Sequence, residues 1–165
     1  MHDRWRSRLG RWRRWLSGRY VMSIIIQLFD EEHGTATHAT LRHGDHEFNV
    51  LIHGKKIDLL PLLGKSMRTE VSFDRIVSWT RLNDFDDDQS CIKSSNEFVG
   101  AHTLRGRVHN VIEIESNKSI VDLYLQTGPE FLAISSQELG SQTVPVGTAL
   151  EITVYGLRFH PTCAS

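Results

Sequence analysis

Residues 146–155 read Val-Gly-Thr-Ala-Leu-Glu-Ile-Thr-Val-Tyr, a glycine turn followed by a run in which apolar and polar side chains alternate. Residues 63–72, which lie 83 positions earlier, read Leu-Gly-Lys-Ser-Met-Arg-Thr-Glu-Val-Ser and have the same glycine and a similar alternation. A period of two is typical of a β-strand with one buried face. Each segment is therefore predicted to be a strand introduced by a glycine turn.

The same displacement relates the sequence on both sides of these two segments. The identical pairs are Glu32/Glu115, Glu47/Glu130, Phe48/Phe131, Gly64/Gly147, Val71/Val154 and Arg75/Arg158. The apolar pairs that coincide are Ile25/Val108, Leu28/Val111, Leu41/Tyr124, Leu63/Val146 and Met67/Leu150. Because a slip of one residue would turn such side chains to opposite faces of a sheet, this register predicts two copies of one small fold.

The rest of the chain is also typical of strands. Short alternating runs separated by turn residues occupy residues 23–29, 37–42, 47–53, 67–73, 107–114, 120–126, 130–135 and 149–155. This pattern predicts an all-β protein of two tandem OB-like five-stranded barrels, in which closure removes exposed edges. Since barrels of this size bury little surface, the pair is expected to pack together or to dimerise. The predicted divisions are a basic arm (1–21), barrel 1 (22–77), an acidic linker (78–103), barrel 2 (104–160) and a tail (161–165).

The second half resembles a known family through four segments. They are Leu104-Arg105-Gly106-Arg107-Val108, residues 120–125, residues 128–134 and the run 146–154 quoted above. Their order and glycines resemble the transport-associated OB domain, the TOBE/MOP group of small β-barrels. The resemblance implies molybdate-type oxyanion binding between paired barrels, or a regulatory role in transporter ATPases.

The oxyanion-binding members of that group use small polar residues before the first strand and a lysine in the last. By this resemblance, Ala101-His102-Thr103 and Ser135-Ser136 would supply the polar part. Tyr155-Gly156 stands where the cation is expected, and Arg158 is the candidate substitute.

The formal net charge of -1 is the sum of two unlike parts. Residues 1–20 hold seven Arg and one Asp, whereas residues 21–165 hold 12 basic and 19 acidic side chains. The arm has an apolar stripe of Trp5, Leu9, Trp12 and Leu16 at helical spacing. Three interpretations stay open: a helix that orders on an anionic membrane or a nucleic acid, a disordered tail, or sequence upstream of a start at Met22. Its candidate contact residues are Trp5, Arg11, Trp12, Arg13 and Arg14.

Few residues carry the patterns of catalysis or cofactor binding. The chain has no G-x-S-x-G, no phosphate loop and no G-x-G-x-x-G, which predicts a protein that is not an enzyme. Its two cysteines, Cys91 and Cys163, favour a reducing, cytoplasmic location. Residues 86–97 have the oxygen spacing of a calcium loop, but Cys91 replaces the glycine of its turn, so a solvated linker is favoured. The histidines His33, His38, His43, His46 and His53 are interpreted as exposed rather than metal-binding, and no metal or cofactor is expected.

Three functional hypotheses follow from these observations. The leading one is a non-enzymatic binding or regulatory protein that engages a protein partner or a second copy of itself. The first alternative is a single-stranded nucleic-acid-binding OB protein, with Arg105, Arg107, Tyr124 and Arg158 as the contact surface. The second alternative is TOBE-like binding of a small oxyanion. Membrane contact is expected only through the arm.

Overall fold

The computed structural model describes residues 21–43, 46–95, 97, 100–115, 118–124 and 132–162, with side chains for all of them except residues 21, 88, 114, 115 and 118–124. The predicted basic arm lies outside these ranges, apart from residue 21. The described chain is mostly strand, so the predicted all-β class is confirmed. In these ranges no helix is both long enough and apolar enough to cross a membrane.

Eleven strands account for most of the described residues. They are β1 (Val21–His33), β2 (Ala36–His43), β3 (His46–His53), β4 (Ser66–Ser72), β5 (Arg75–Arg81), β6 (Cys91–Ser94), β7 (Ala101–Glu115), β8 (Lys118–Tyr124), β9 (Leu132–Ser135), β10 (Ala149–Tyr155) and β11 (Arg158–Pro161). A turn of α-helix, α1 (Lys56–Leu59), runs directly into a 3-10 turn (Leu60–Leu62), and a second 3-10 turn spans Asp87–Gln89.

Five strands close into a barrel in the order β1-β2-β3-β11-β4, and β4 pairs back to β1. Because successive side chains of a strand point to opposite faces, every second side chain of these strands points into the barrel. Ile25, Leu41, Ile52 and Phe159 are fully buried in this way. Closure leaves the barrel without a free edge strand.

The other strands form a half-barrel sheet in the order β5-β10-β7-β8-β9, with β6 on the side of β7. Its buried face includes Leu104, Ile134, Leu150 and Ile152, each 0 % exposed. These side chains belong to the same buried cluster as those of the barrel. The two halves of the chain therefore share one hydrophobic core within the described residues.

The two halves exchange their last strands. β5, from the first half, pairs with β10 of the half-barrel, and β11, from the second half, pairs with β3 and β4 of the barrel. The chain thus passes from barrel to half-barrel after Ser72, and returns after Tyr155. The domain ranges 22–77 and 104–160 stay predictions. β5 begins inside the first range but belongs to the half-barrel, and β11 begins inside the second range but belongs to the barrel.

The strand registers repeat at a displacement of 83 residues. One backbone hydrogen bond also recurs: Gly64 N donates to Ile25 O over 2.9 Å, and Gly147 N donates to Val108 O over 2.9 Å. The repeated pairs include Val21↔Thr69 with Leu104↔Ile152, Ile24↔Ser66 with Arg107↔Ala149, and Arg158↔Ser72 with Arg75↔Tyr155. The internal repeat is therefore present in the pairing of the backbone as well as in the sequence.

Two members of the apolar register lie on the surface. Leu63 and Val146 precede the repeated glycines, and they are 42 % and 61 % exposed. The inference that these pairs share a buried face was wrong for this position, because each residue lies in the turn before β4 or β10 and not in a strand. Ile25 and Val108, by contrast, are both buried.

The segment predicted as an acidic linker contains strand structure. Residues 78–103 include the end of β5, all of β6 and the first residues of β7. Cys91 in β6 pairs with Arg105, and Ile92 is buried against the core. The residues of calcium-loop spacing thus lie partly in a paired strand.

Candidate functional site

The exchange of strands brings two connections side by side. Residues 72–75 carry the chain out of the barrel and residues 155–158 bring it back; we call these two segments the crossover. Arg75 pairs with Tyr155, Arg158 pairs with Ser72, and Asp74 N donates to Tyr155 O over 2.8 Å. Residues far apart in sequence are thereby held at the junction of the two sheets.

Arg158 is one of the two arginines of the crossover. Its side chain is 36 % exposed, and Nη1 lies 3.7 Å from Asp74 Oδ1, beyond hydrogen-bonding distance. Its Nε is buried and has no hydrogen-bond partner among the described residues. A guanidinium is always charged and presents five donors in a fixed plane. Arg158 therefore keeps donor capacity that the described part of the chain does not use.

A hydroxyl and an imidazole lie beside this arginine. Ser72 is its cross-strand partner, and His160 follows two residues later on the same outward face of β11. Ser72 Oγ and His160 Nε2 are 2.6 Å apart, a hydrogen bond whose direction depends on the imidazole tautomer. The His160 ring also lies 5.2 Å from that of His53. The surface next to Arg158 is thus polar, with side chains that can donate hydrogen bonds.

Arg75 is the repeat equivalent of Arg158 but has different surroundings. Its guanidinium carbon lies 4.5 Å from the centroid of the Tyr155 ring, a cation–π contact. Tyr155 stands where the other half has Ser72, and Arg75 is exposed. The two arginines form a natural pair for comparison, because they share a residue type and a register position but not an environment.

The other predicted contact arginines lie in the half-barrel and are engaged by the protein itself. Arg105 Nε donates to Glu151 Oε2 over 2.6 Å. Arg107 donates to Asp87 Oδ1 over 2.9 Å, to Gly147 O over 2.7 Å and to Phe85 O over 3.0 Å. Arg158 lies in the barrel, so the three predicted cations are divided between the two sheets. The nucleic-acid hypothesis that uses them stays a prediction.

The remaining predicted contacts are not covered by the described side chains. Tyr124 ends β8 opposite Arg107, and its side chain lies outside the described part. The arm residues Trp5, Arg11, Trp12, Arg13 and Arg14 also lie outside it. Within the described ranges no group of three or more His, Cys, Asp or Glu side chains comes close enough to hold a metal ion.

His102, one of the residues expected to supply polar ligands, joins the two sheets. Its Nε2 donates to the carbonyl of Asn49 in the barrel over 2.7 Å, whereas its buried Nδ1 has no partner among the described residues. Burial lowers the pKa of His102 below its ordinary value of 6.5, and the nearby His38 lowers it further, while the bond to Asn49 opposes both. The neutral imidazole is therefore the form that fits this contact.

Acidification is expected to weaken the fold through His102. Because the unfolded chain binds this proton more readily than the folded protein, stability present above pH 6.5 should be lost as the pH falls towards the lowered pKa. His102→Gln keeps a donor for Asn49 but cannot titrate, so its unfolding free energy should depend less on pH than that of the wild type. The measurement is urea unfolding at a series of pH values.

The exposed His46 provides the control for this experiment. His46→Gln should keep the wild-type pH dependence. An unchanged slope in His102→Gln would contradict the assignment of the acid-labile contact to His102.

Comparisons with known proteins agree with the fold. No protein-family model and no curated protein matches the chain. Among solved structures it is similar to the cytoplasmic molybdate-binding protein ModG with molybdate bound, at a TM-score of 0.51 and 14 % sequence identity. That similarity covers 86 % of this chain and 94 % of the ModG chain. At this identity it concerns the fold alone, and at that level the predicted resemblance to the TOBE/MOP barrels is confirmed.

Proposed function

We propose that this chain is a non-enzymatic protein that binds a small tetrahedral oxyanion of the molybdate class at the crossover. The observation that carries the proposal is Arg158, a partly exposed guanidinium whose buried Nε has no acceptor among the described residues. A buried donor without a partner is costly, and an anion is the strongest acceptor that could satisfy this side chain.

The neighbouring side chains suit an oxyanion chemically. Fully ionised oxyanions accept hydrogen bonds and donate none, so their sites need donors. Arg158 supplies a planar array of N–H groups, and the Ser72 hydroxyl and the His160 imidazole can each turn a donor outward once their mutual bond opens. We expect binding to draw Arg158 away from Asp74, so that the guanidinium turns and its Nε, which is buried in the free protein, becomes one of the donors to the anion.

The charge around the site is a second consideration. Asp74 carries the opposing charge in the crossover, while Arg75 and Arg158 carry two positive charges. The balance within residues 72–75 and 155–158 is positive by one, and Glu70, the cross-strand partner of His160, adds an exposed negative charge at the edge of the site. This favours a weakly held, exchangeable anion over a permanently bound one.

The structural neighbour supports the same proposal. ModG is a molybdate-binding protein and is cytoplasmic, and the fold of this chain is similar to it over most of both chains. Of the three sequence-derived hypotheses, the oxyanion alternative therefore has better support than the leading hypothesis of a protein partner. A cytoplasmic location is part of this proposal.

Titration calorimetry with molybdate, tungstate, sulfate and phosphate is the direct test. Loss of charge-assisted hydrogen bonds worth about 1.5–3 kcal/mol predicts that Arg158→Ala weakens binding of the preferred anion about 10- to 100-fold. Arg158→Lys keeps the charge but loses the planar donors, so an intermediate affinity is expected. The preferred anion should also raise the melting temperature of the wild type.

Arg75→Ala is the matched control, since Arg75 occupies the equivalent register position beside Tyr155. It should weaken binding only by the screened attraction of its exposed charge, and clearly less than Arg158→Ala does. Equal losses in the two alanine variants would point to general electrostatic attraction and not to a site at Arg158. Failure of the wild type to bind any of the four anions would overturn the proposal.

A further inference from the structure

The connection between β3 and β4 presents apolar side chains to solvent. Ile57, Leu60 and Leu63 are 73 %, 48 % and 42 % exposed. They follow one another at intervals of three residues, with Ile57 in α1, Leu60 at the start of the 3-10 turn and Leu63 directly after it, and this spacing places them on one face. Leu59, on the opposite face, is 3 % exposed and belongs to the core.

This apolar face continues onto the outside of β1. Leu63 bridges to Ile25, and Gly64 N donates to Ile25 O over 2.9 Å, so the connection lies against that strand. Ile26, at the bulge next to Ile25, is 37 % exposed, and Met22 is 48 % exposed. We call Met22, Ile26, Ile57, Leu60 and Leu63 the apolar stripe. Exposed apolar residues grouped in this way, unlike isolated ones, mark interaction sites.

The two ends of the apolar stripe differ in charge. At the Ile57 end lie exposed Asp58 and Glu32, the latter accepting a hydrogen bond from Lys56 N over 3.3 Å; Asp30 is paired with the Lys56 ammonium there. At the Leu63 end lie the exposed side chains of Lys65 and of Arg68, the cross-strand partner of Met22. Lys55, which precedes α1, is also exposed, so the Ile57 end holds three acidic side chains against two basic ones. The stripe therefore runs from a mainly acidic end to a basic one.

We infer that the apolar stripe is the contact surface for a second copy of this chain. A two-fold axis through the middle of the stripe would cover apolar side chains with identical ones and would set the acidic end of each copy against the basic end of the other. Such self-complementarity is what a symmetric two-fold contact requires. A polyanion or an anionic bilayer would meet repulsion at the acidic end.

Sedimentation equilibrium of the full chain tests this inference independently of anion binding. The wild type should be dimeric in the micromolar range, and Leu60→Ser and Leu63→Ser should each weaken the dimer at least about tenfold. Val146→Ser is the matched control: Val146 is the repeat equivalent of Leu63, is 61 % exposed and lies outside the stripe. It should leave the dimer unchanged. A monomeric wild type, or a dimer indifferent to both leucine variants, would overturn the inference.

Charge exchange gives a second test that does not depend on apolar surface. Lys65→Glu should weaken the dimer, and adding Asp58→Lys should restore it, because both complementary contacts across the two-fold axis are then rebuilt with reversed signs. Additive weakening in the double variant would contradict the antiparallel arrangement. Circular dichroism should show that every variant keeps its strand content, since all the changed residues are exposed.

Discussion

Phe159→Ala is expected to lower the free energy of unfolding by about 3–5 kcal/mol, the usual cost of truncating a buried aromatic residue. The Phe159 side chain is 0 % exposed, and its ring centroid lies 5.6 Å from that of Phe48. Its backbone pairs with Ile52 of β3 on one side and with Val71 of β4 on the other. The cavity would therefore open at the seam where β11 closes the barrel.

Urea unfolding followed by circular dichroism measures this loss. Ile76→Ala is the comparison, because Ile76 is the residue 83 positions earlier, lies in β5 of the half-barrel, and is only partly buried. It should cost clearly less than Phe159→Ala. If the two losses were equal, or if Phe159→Ala cost less than about 1 kcal/mol, then β11 would not be the strand that holds the barrel closed.

The strands were predictable from sequence because at least one face of most of them is buried; β10 is buried on both faces. Alternation in β4 and β10 shows which residues turn inward: Thr69 and Ile152 are both 0 % exposed at equivalent positions. The buried Thr69, within hydrogen-bonding distance of Ser23 Oγ at 3.4 Å, also shows that polarity alone misassigns a face. The period of two therefore identifies the buried face of a strand more reliably than the polarity of any single residue does.

The exchange of strands could not be predicted from the repeat. Because β4 and β10 are equivalent in pattern, β5 fits beside either of them in the same register, and the sequence does not distinguish the two pairings. The connection offers one physical reason for the outcome. A two-residue hairpin from β4 to β5 would use Phe73-Asp74, which lacks the glycine or asparagine that such turns favour. Once β5 pairs with β10, the place beside β4 is left for β11.

The exchange of strands also explains which residues of the candidate site could be predicted from the sequence. Arg158 was identified as the cation that could replace a lysine, on the resemblance to the TOBE/MOP barrels. Asp74 and Ser72 were not, because they meet Arg158 only through the exchange. Arg105 was recognised as a cation, but its partner Glu151 lies across the β7–β10 pairing and becomes visible only when that register is known.

Gly156→Ala is expected to be the most damaging change in the crossover itself. Gly156 has a φ of 70°, and a left-handed conformation costs an alanine about 1–2 kcal/mol. A Cβ at this position would also overlap the Asp74 carboxylate. The substitution must therefore either strain the backbone further or push Asp74 away from Arg158, and the total loss of stability should exceed about 2 kcal/mol.

Gly34→Ala separates these two contributions. Gly34 has a similar φ of 60°, but nothing lies within 4 Å of its added Cβ, so this variant carries the backbone cost alone. The excess loss in Gly156→Ala, measured by urea unfolding, is then the cost of displacing Asp74. Adding Asp74→Ala to Gly156→Ala should remove that excess, which makes the double variant more stable than the sum of the single changes predicts. Simple additivity would mean that the Asp74 side chain moves aside freely, and Gly156 would then be required only for its φ.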